Sequence, residues 1–148
     1  SESENIQKLL DQDGGNESFG KLRLEMGEAM NNHLAVYRDQ KGIEEALSKL
    51  LELKERYMSV VVDDKGKTFN TNLVFTLELG FMLDCAETIA VSAMERKESR
   101  GAHTRTDMPE RDDENWLKHI LVTSTSKGPK VDYLPVVITQ WKPQIRTY

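Results

Sequence analysis

Residues 94–116, MERKESRGAHTRTDMPERDDENW, concentrate the side chains that could do chemistry. Cations and carboxylates alternate around a glycine. Exposed ion pairs each stabilise a fold by roughly 1 kcal/mol or less, so surface solvation alone is a poor explanation for so dense a set. The candidate contact residues are Arg96, Glu98, Arg100, His103, Arg105, Asp107, Arg111 and Asp113.

The simplest structural explanation of this segment is the capped end of a helix. Arg96 and Arg100 would suit the partial negative charge at a helix C-terminus. Gly101 would then follow as the left-handed C′ residue. A capped end does not explain residues 103–113, which continue without an apolar pattern. Ordering them would cost conformational entropy with little stabilisation in exchange, unless they met a partner surface.

Spacing gives no support for a metal or nucleophile site. The three histidines, His33, His103 and His119, are far apart, and none has a second His or Cys at ligand spacing. Neither Ser99 nor Cys85 has a histidine at a recognisable spacing, although a catalytic triad can be assembled across a fold. We therefore predict no catalytic, cofactor-binding or metal-binding residue in this chain.

Length and composition predict a single domain. The chain has 148 residues, of which 30% are charged, with a formal net charge of −5. That balance argues against a nucleic-acid partner, because acids offset the local basic cluster. No apolar run approaches the roughly 20 residues that span a bilayer. The single cysteine, Cys85, excludes an internal disulfide and is predicted to be a small buried residue.

Three helices must position the charged segment. Apolar residues recur every three or four positions in residues 19–40, 42–62 and about 69–99, which predicts amphipathic helices. Ser18 is the expected N-cap of the first helix, and Gly42 marks its expected end. The third helix is apolar on several sides, so we expect it to be the most buried.

The pattern changes after Trp116. β-branched residues flank the turn sequence SKGPK, which predicts a hairpin of residues 118–124 with 130–138. The predicted fold is mainly α: an antiparallel three-helix bundle followed by an irregular charged arm and a small C-terminal β-hairpin. Residues 1–17 are predicted to be a flexible N-terminal segment or linker, and residues 18–148 the helical domain.

A family resemblance adds to this interpretation. RKESRGAHTRTDMPERDDENWLKH resembles the C-terminal domain of the flavoprotein subunits of succinate dehydrogenases and fumarate reductases. LRLEMGEAMNNHLAVYRDQKGIEEALSKL and FNTNLVFTLELGFMLDCAETI resemble that family's bundle helices, and PQIRTY resembles its C-terminal end. The resemblance runs from about Leu22 to Tyr148.

The resemblance implies an enzyme whose larger part lies elsewhere. Family members interconvert succinate and fumarate by hydride transfer with FAD, which passes electrons to an iron–sulfur subunit and quinone. The chain has no GxGxxG fingerprint, which that family carries near its N-terminus, and none of the family's catalytic motifs. It begins at Ser1 without an initiator methionine, so we expect a piece of a longer subunit whose FAD-binding and capping domains are absent.

By this resemblance the charged residues become predicted interdomain or intersubunit contacts, solvated when this chain is alone. The implied partners are the FAD-binding domain and the iron–sulfur subunit, with the membrane reached only indirectly through anchor subunits. The implied location is the cytoplasmic (inner) face of the membrane, or the matrix side of a mitochondrion. Two alternatives stay open: the related C-terminal domain of an L-aspartate oxidase, and a free-standing helical protein-interaction module. RTDMPERDDENW favours the succinate/fumarate branch.

Overall fold

The computed structural model describes residues 2–144. In chain order these residues form α1 Glu2–Asp11, α2 Phe19–His33, β1 Tyr37–Arg38, α3 Gln40–Tyr57, α4 Thr71–Glu95, β2 Thr104–Arg105, α5 Asp113–Trp116, β3 Lys118–Thr125 and β4 Gly128–Pro135. The predicted class, a mainly α fold with a helical bundle and a small C-terminal hairpin, is confirmed.

The core lies between α2, α3 and α4, which pack against one another. Each helix turns a stripe of side chains, spaced three or four residues apart, toward the other two. Burying one Leu or Ile side chain contributes roughly 1.5–3 kcal/mol, so this stripe supplies most of the driving force for the bundle. The fully or nearly fully buried apolar residues include Leu22, Met26, Ile43, Ala46, Leu50, Leu53, Leu79, Leu83, Ala86 and Ala90.

The connection between the first two bundle helices differs from the prediction. The sequence pattern predicts one helix through Gln40 that ends at Gly42, but α2 ends at His33 and Gly42 lies in the first turn of α3. Asp39 starts the new helix because its carboxylate accepts a hydrogen bond from the Gly42 amide at 2.7 Å, as an N-cap does. The intervening residues are therefore free to form β1.

The other helix ends follow local signals more closely. Ser18 is confirmed as the N-cap of α2, since its hydroxyl accepts from the Lys21 amide. α3 ends at Tyr57, earlier than the predicted residue 62. α4 runs from Thr71 to Glu95 and is shorter than the predicted 69–99.

Residues 1–17, predicted to be a flexible linker, contain α1. The Gln12 side chain donates to the Met58 carbonyl at the end of α3, at 2.9 Å. Glu17 forms an ion pair with Arg56 of α3, at 2.7 Å. These contacts connect the segment to the bundle, and its flexibility stays a prediction.

α4 buries one side and exposes the other. Leu83 belongs to the core, whereas Cys85 is exposed, because two residues advance a helix by roughly 200°. The prediction that Cys85 is buried is therefore wrong. We call Val74, Phe81, Cys85 and Ile89, all exposed on this side, the outer face of α4.

The C-terminal hairpin pairs β3 with β4 in antiparallel register, from Lys118 opposite Pro135 to Thr125 opposite Gly128. Gly128 adopts φ of 101°, which a side chain would disfavour, so the turn falls where the SKGPK signal predicted. β4 ends at Pro135 rather than at residue 138. Two strands alone are marginal in water. The hairpin is held on α4, where the Tyr133 hydroxyl donates to the Glu95 carboxylate.

Candidate functional site

The charged arm, residues 96–113, leaves the end of α4 and folds back toward the connection between α2 and α3. Gly101 has φ of 59° in a tight turn in which the Arg100 and His103 backbones pair. It is therefore a turn residue and not the helix C′ residue, since α4 ends at Glu95. β2 pairs in parallel with β1, which fixes the arm against the bundle.

Glu98 is the centre of the first ionic cluster, and its side chain is fully buried. It accepts hydrogen bonds from Arg96 Nη1 at 2.6 Å and from Arg100 Nε at 2.7 Å. The Asp112 amide donates to it at 2.7 Å. Burial alone would raise the pKa of Glu98, but Arg100, the Asp112 amide and Arg96 outweigh that effect and lower it.

Arg105 is the centre of the second cluster and is also fully buried. Its Nε and Nη2 donate to the two carboxylate oxygens of Asp107, each at 2.7 Å, in a bidentate pair. Arg105 holds the pKa of Asp107 far below its usual range. Asp107 also accepts from the backbone N–H of Gln40 at 3.0 Å, so the Arg105–Asp107 pair joins the arm to the first turn of α3.

His103 lies between these clusters. Its Nδ1 lies 3.0 Å from Arg38 Nη1, and its Nε2 lies 3.4 Å from the Arg96 carbonyl. Burial lowers the pKa of His103, and the positive charge of Arg38 lowers it further.

The outer side of the arm carries the remaining predicted residues. Asp113 accepts from Arg100 Nη2 at 2.6 Å and also from Arg111. Hydrogen bonds from Arg111 and then Arg100 lower the pKa of Asp113 to about 2. Arg111 donates in addition to the Gln144 carbonyl at 2.7 Å, which connects the arm to the chain beyond the hairpin.

The structure thus brings all the predicted contact residues together in one arm. The expectation that they are solvated in the chain alone is wrong for Glu98 and Arg105, because each has enough partners within the chain to be buried. Among the described residues, every buried side-chain nitrogen or oxygen has a hydrogen-bond partner. A role as interdomain contacts stays a prediction.

Sequence reasoning missed the partners that complete the arm. Arg38 and Gln40 lie more than sixty positions before the residues they contact, as the separations of 65 and 67 show. Asp112 contributes its amide and also caps α5. Trp116 lies under Arg96, 5.4 Å from the guanidinium to the ring centroid. No local spacing pattern reveals such contacts.

A third ionic cluster, centred on Arg56 near the C-terminal end of α3, was also missed. Arg56 of α3 donates to Glu25 of α2 through Nη1 and Nη2, at 2.6 and 2.9 Å, and donates to Glu17 as well. Hydrogen bonds from Arg56 and Lys49 lower the pKa of Glu25 to about 2. This cluster joins α2, α3 and the N-terminal segment.

Other features of the described residues offer less chemistry. No group of three or more His, Cys, Asp or Glu within residues 2–144 is arranged to hold a metal ion. Every helix of that part of the chain is too short or too polar to cross a bilayer. A half-open cleft of about 510 Å³ between α1 and the α3–α4 pair is mostly apolar and contains none of the predicted contact residues.

The fold is that of a helical domain with a charged arm and a small hairpin, and comparison with known proteins gives its family. The profile described as "Fumarate reductase flavoprotein C-term" matches residues 23–148. A fumarate reductase flavoprotein subunit of Haemophilus influenzae is 49% identical over 142 residues, which cover 95% of this chain and 24% of that protein. A succinate dehydrogenase flavoprotein subunit of Rickettsia conorii is 41% identical over 126 residues, covering 84% of this chain and 21% of that protein.

The fold agrees with the sequence matches. A structure of Escherichia coli quinol fumarate reductase FrdA superposes with a TM-score of 0.90 and 42% identity, covering 97% of this chain and 25% of that one. The chain belongs to the family of C-terminal domains of fumarate reductase and succinate dehydrogenase flavoprotein subunits. It spans about a quarter of the length of the relatives it matches.

Proposed function

We propose that this chain is the scaffold domain of a flavoprotein subunit that, when intact, interconverts succinate and fumarate through FAD. The family match over residues 23–148 is the observation that carries this proposal. FAD would be held by parts of the subunit outside this sequence, because no GxGxxG fingerprint occurs here to receive its pyrophosphate. Electrons would then pass to an iron–sulfur subunit and to quinone.

The domain's role in that subunit is to present a fixed surface to the FAD-binding domain and the iron–sulfur partner. Two features support this assignment. The buried Glu98 and Arg105 fix the arm, so that Arg111 and Asp113 stand at defined positions on its outer side. The outer face of α4 adds an exposed apolar strip, with Phe81 61% exposed, which burial against another domain would stabilise.

Location follows from the same proposal. The complex would lie peripherally at the cytoplasmic (inner) face of an energy-coupling membrane, or at the matrix side of a mitochondrion. This domain would contact the membrane only through anchor subunits. Relatives are named both as fumarate reductase and as succinate dehydrogenase flavoprotein subunits.

The test uses the flavoprotein subunit that contains this domain, purified with its iron–sulfur partner. We expect succinate oxidation or fumarate reduction with an artificial electron carrier, and FAD bound at about one per subunit. Phe81→Glu should lower FAD content and recovery of the partner to less than about half, because it would bury an unpaired charge. Leu51→Glu on α3, where Leu51 is 45% exposed, is the matched control and should leave both unchanged.

The outcomes separate the two parts of the proposal. Failure of the intact subunit to turn over succinate or fumarate would overturn the assigned activity. Equal flavin retention in Phe81→Glu and Leu51→Glu would overturn the docking role of the α4 outer face while leaving the activity assignment intact. In the 148-residue chain alone, neither change should lower the melting temperature, since both side chains are exposed there.

A further inference from the structure

The contact between His103 and Arg38 defines the protonation state of the imidazole. A guanidinium can only donate hydrogen bonds, so Nδ1, 3.0 Å from Arg38 Nη1, must be unprotonated and act as the acceptor. The proton of the neutral ring is then on Nε2, which faces the Arg96 carbonyl at 3.4 Å. The geometry therefore selects one neutral tautomer and excludes the imidazolium ion from this arrangement.

The charges around the ring reinforce this selection. The charged groups with the largest effect on its pKa are Arg38 on β1, Arg105 on β2 and Arg96 at the end of α4, all of them cations. Two carboxylates of the arm are paired with the arginines that surround the ring, Glu98 with Arg96 and Asp107 with Arg105. A proton on Nδ1 would remove the acceptor from Arg38 and add a fourth positive charge to the group.

The contact lies beside a very short strand pair. β1 and β2 have two residues each, and the amides of Thr104 and Thr106 donate to the carbonyls of Val36 and Arg38 at 3.1 and 2.8 Å. The Arg105–Asp107 pair also holds this end of the arm and does not depend on His103. Loss of the His103 contact would therefore loosen the turn at residues 100–104 without detaching the whole arm.

We propose that His103 is a pH-sensitive latch that closes the turn at residues 100–104 onto the connection between α2 and α3 when neutral and releases it when protonated. The latch is a property of this chain and does not depend on the proposed enzymatic function. It gives the arm a conformational response to acid at the surface where the partner contacts are predicted.

The sign of the effect follows from linkage. The pKa of His103 is lowered in the closed form, so the open form binds the proton more tightly. Closure is complete above the ordinary histidine pKa of about 6.5 and weakens as pH falls below it. The equilibrium constant for opening of the turn should rise by up to about tenfold for each unit that the pH falls, until the pH reaches the pKa of His103 in the closed form.

The test is amide hydrogen exchange of Thr104 and Thr106 in the 148-residue chain, followed by NMR at pH 7.5 and 5.5 and corrected for intrinsic rates. We expect protection of Thr104 to fall by up to about tenfold at pH 5.5. His103→Asn is the informative variant, because its side-chain oxygen can still accept from Arg38 but cannot titrate. It should keep the protection at pH 7.5 and lose the pH dependence.

The matched control is His119→Asn, because His119 is an exposed histidine on β3; this variant should keep the wild-type pH dependence. ¹⁵N spectra of the imidazole should show His103 as the Nε2–H tautomer at pH 7.5. Equal corrected protection at the two pH values would overturn the latch. The same pH dependence in His103→Asn as in the wild type, or an Nδ1–H tautomer, would overturn it as well.

Discussion

Glu98→Ala is the substitution that tests the organisation of the arm most directly. The carboxylate is fully buried and accepts from Arg96, Arg100 and the Asp112 amide. Its removal leaves Arg96 without its carboxylate partner, leaves Arg100 with Asp113 alone, and leaves the Asp112 amide without its acceptor. We expect the arm to loosen while the bundle core, which consists of apolar residues of the helices and the segments joining them, keeps its packing.

The expected loss of stability in Glu98→Ala depends on how exposed Arg96 and Arg100 are. Removing one member of a buried ion pair destabilises a fold by roughly 3–5 kcal/mol, because a charge stays buried without compensation. The Arg96 and Arg100 side chains are 15% and 26% exposed, so both can be partly rehydrated. The lower end of the range applies, and we expect a loss of about 3 kcal/mol, or a fall of roughly 10 °C in Tm.

The assay is urea unfolding at pH 7 followed by circular dichroism at 222 nm. Glu110→Ala is the matched control, because Glu110 is an exposed carboxylate of the same arm and should change the free energy of unfolding by less than about 0.5 kcal/mol. A loss of less than about 1 kcal/mol for Glu98→Ala would refute the claim that this cluster orders the arm.

Two further changes test the ionic clusters. Arg105→Lys keeps the charge but loses the bidentate pair with Asp107, so we expect the free energy of unfolding in urea to fall by about 2 kcal/mol. Arg23→Lys, at an exposed position, is the control. Equal stability of the two variants would contradict the role of the bidentate pair. The pKa of Glu25 is lowered to about 2, so its contribution is present above about pH 4.5 and is lost as pH falls toward 2. Glu25→Gln should therefore lose less stability than the wild type between pH 5 and 2, and parallel curves would count against this assignment.

The bundle was predictable because its signals are local. Leu50 and Leu53, like Leu79 and Leu83, fall at three- and four-residue spacings that only a helix gathers on one side. The helix ends were less predictable. Gly42 resembles a stop signal, yet the Asp39 carboxylate three residues earlier caps a new helix and places this glycine inside it.

The candidate site was predictable as a segment but not as a structure. Charge density drew attention to residues 96–113, and the family resemblance suggested contacts with other domains. The burial of Glu98 and Arg105 depends on Arg38, Gln40 and folded-back backbone amides, which tertiary structure alone brings into reach. Cys85 shows the same limit, since its exposure depends on which elements cover α4.

The arm uses ion pairs where the bundle uses apolar packing, and this difference bears on its role. Buried ion pairs contribute little net stability relative to apolar groups of the same size, because desolvation offsets their attraction. They do impose direction, since the Arg105 guanidinium donates to both oxygens of Asp107 in one orientation and Glu98 aligns two guanidinium groups at once. A surface that must match another domain benefits from such fixed geometry, because a loop ordered in advance loses less entropy on docking. The buried charges of this arm therefore favour the proposed docking role over a role in the stability of the isolated domain.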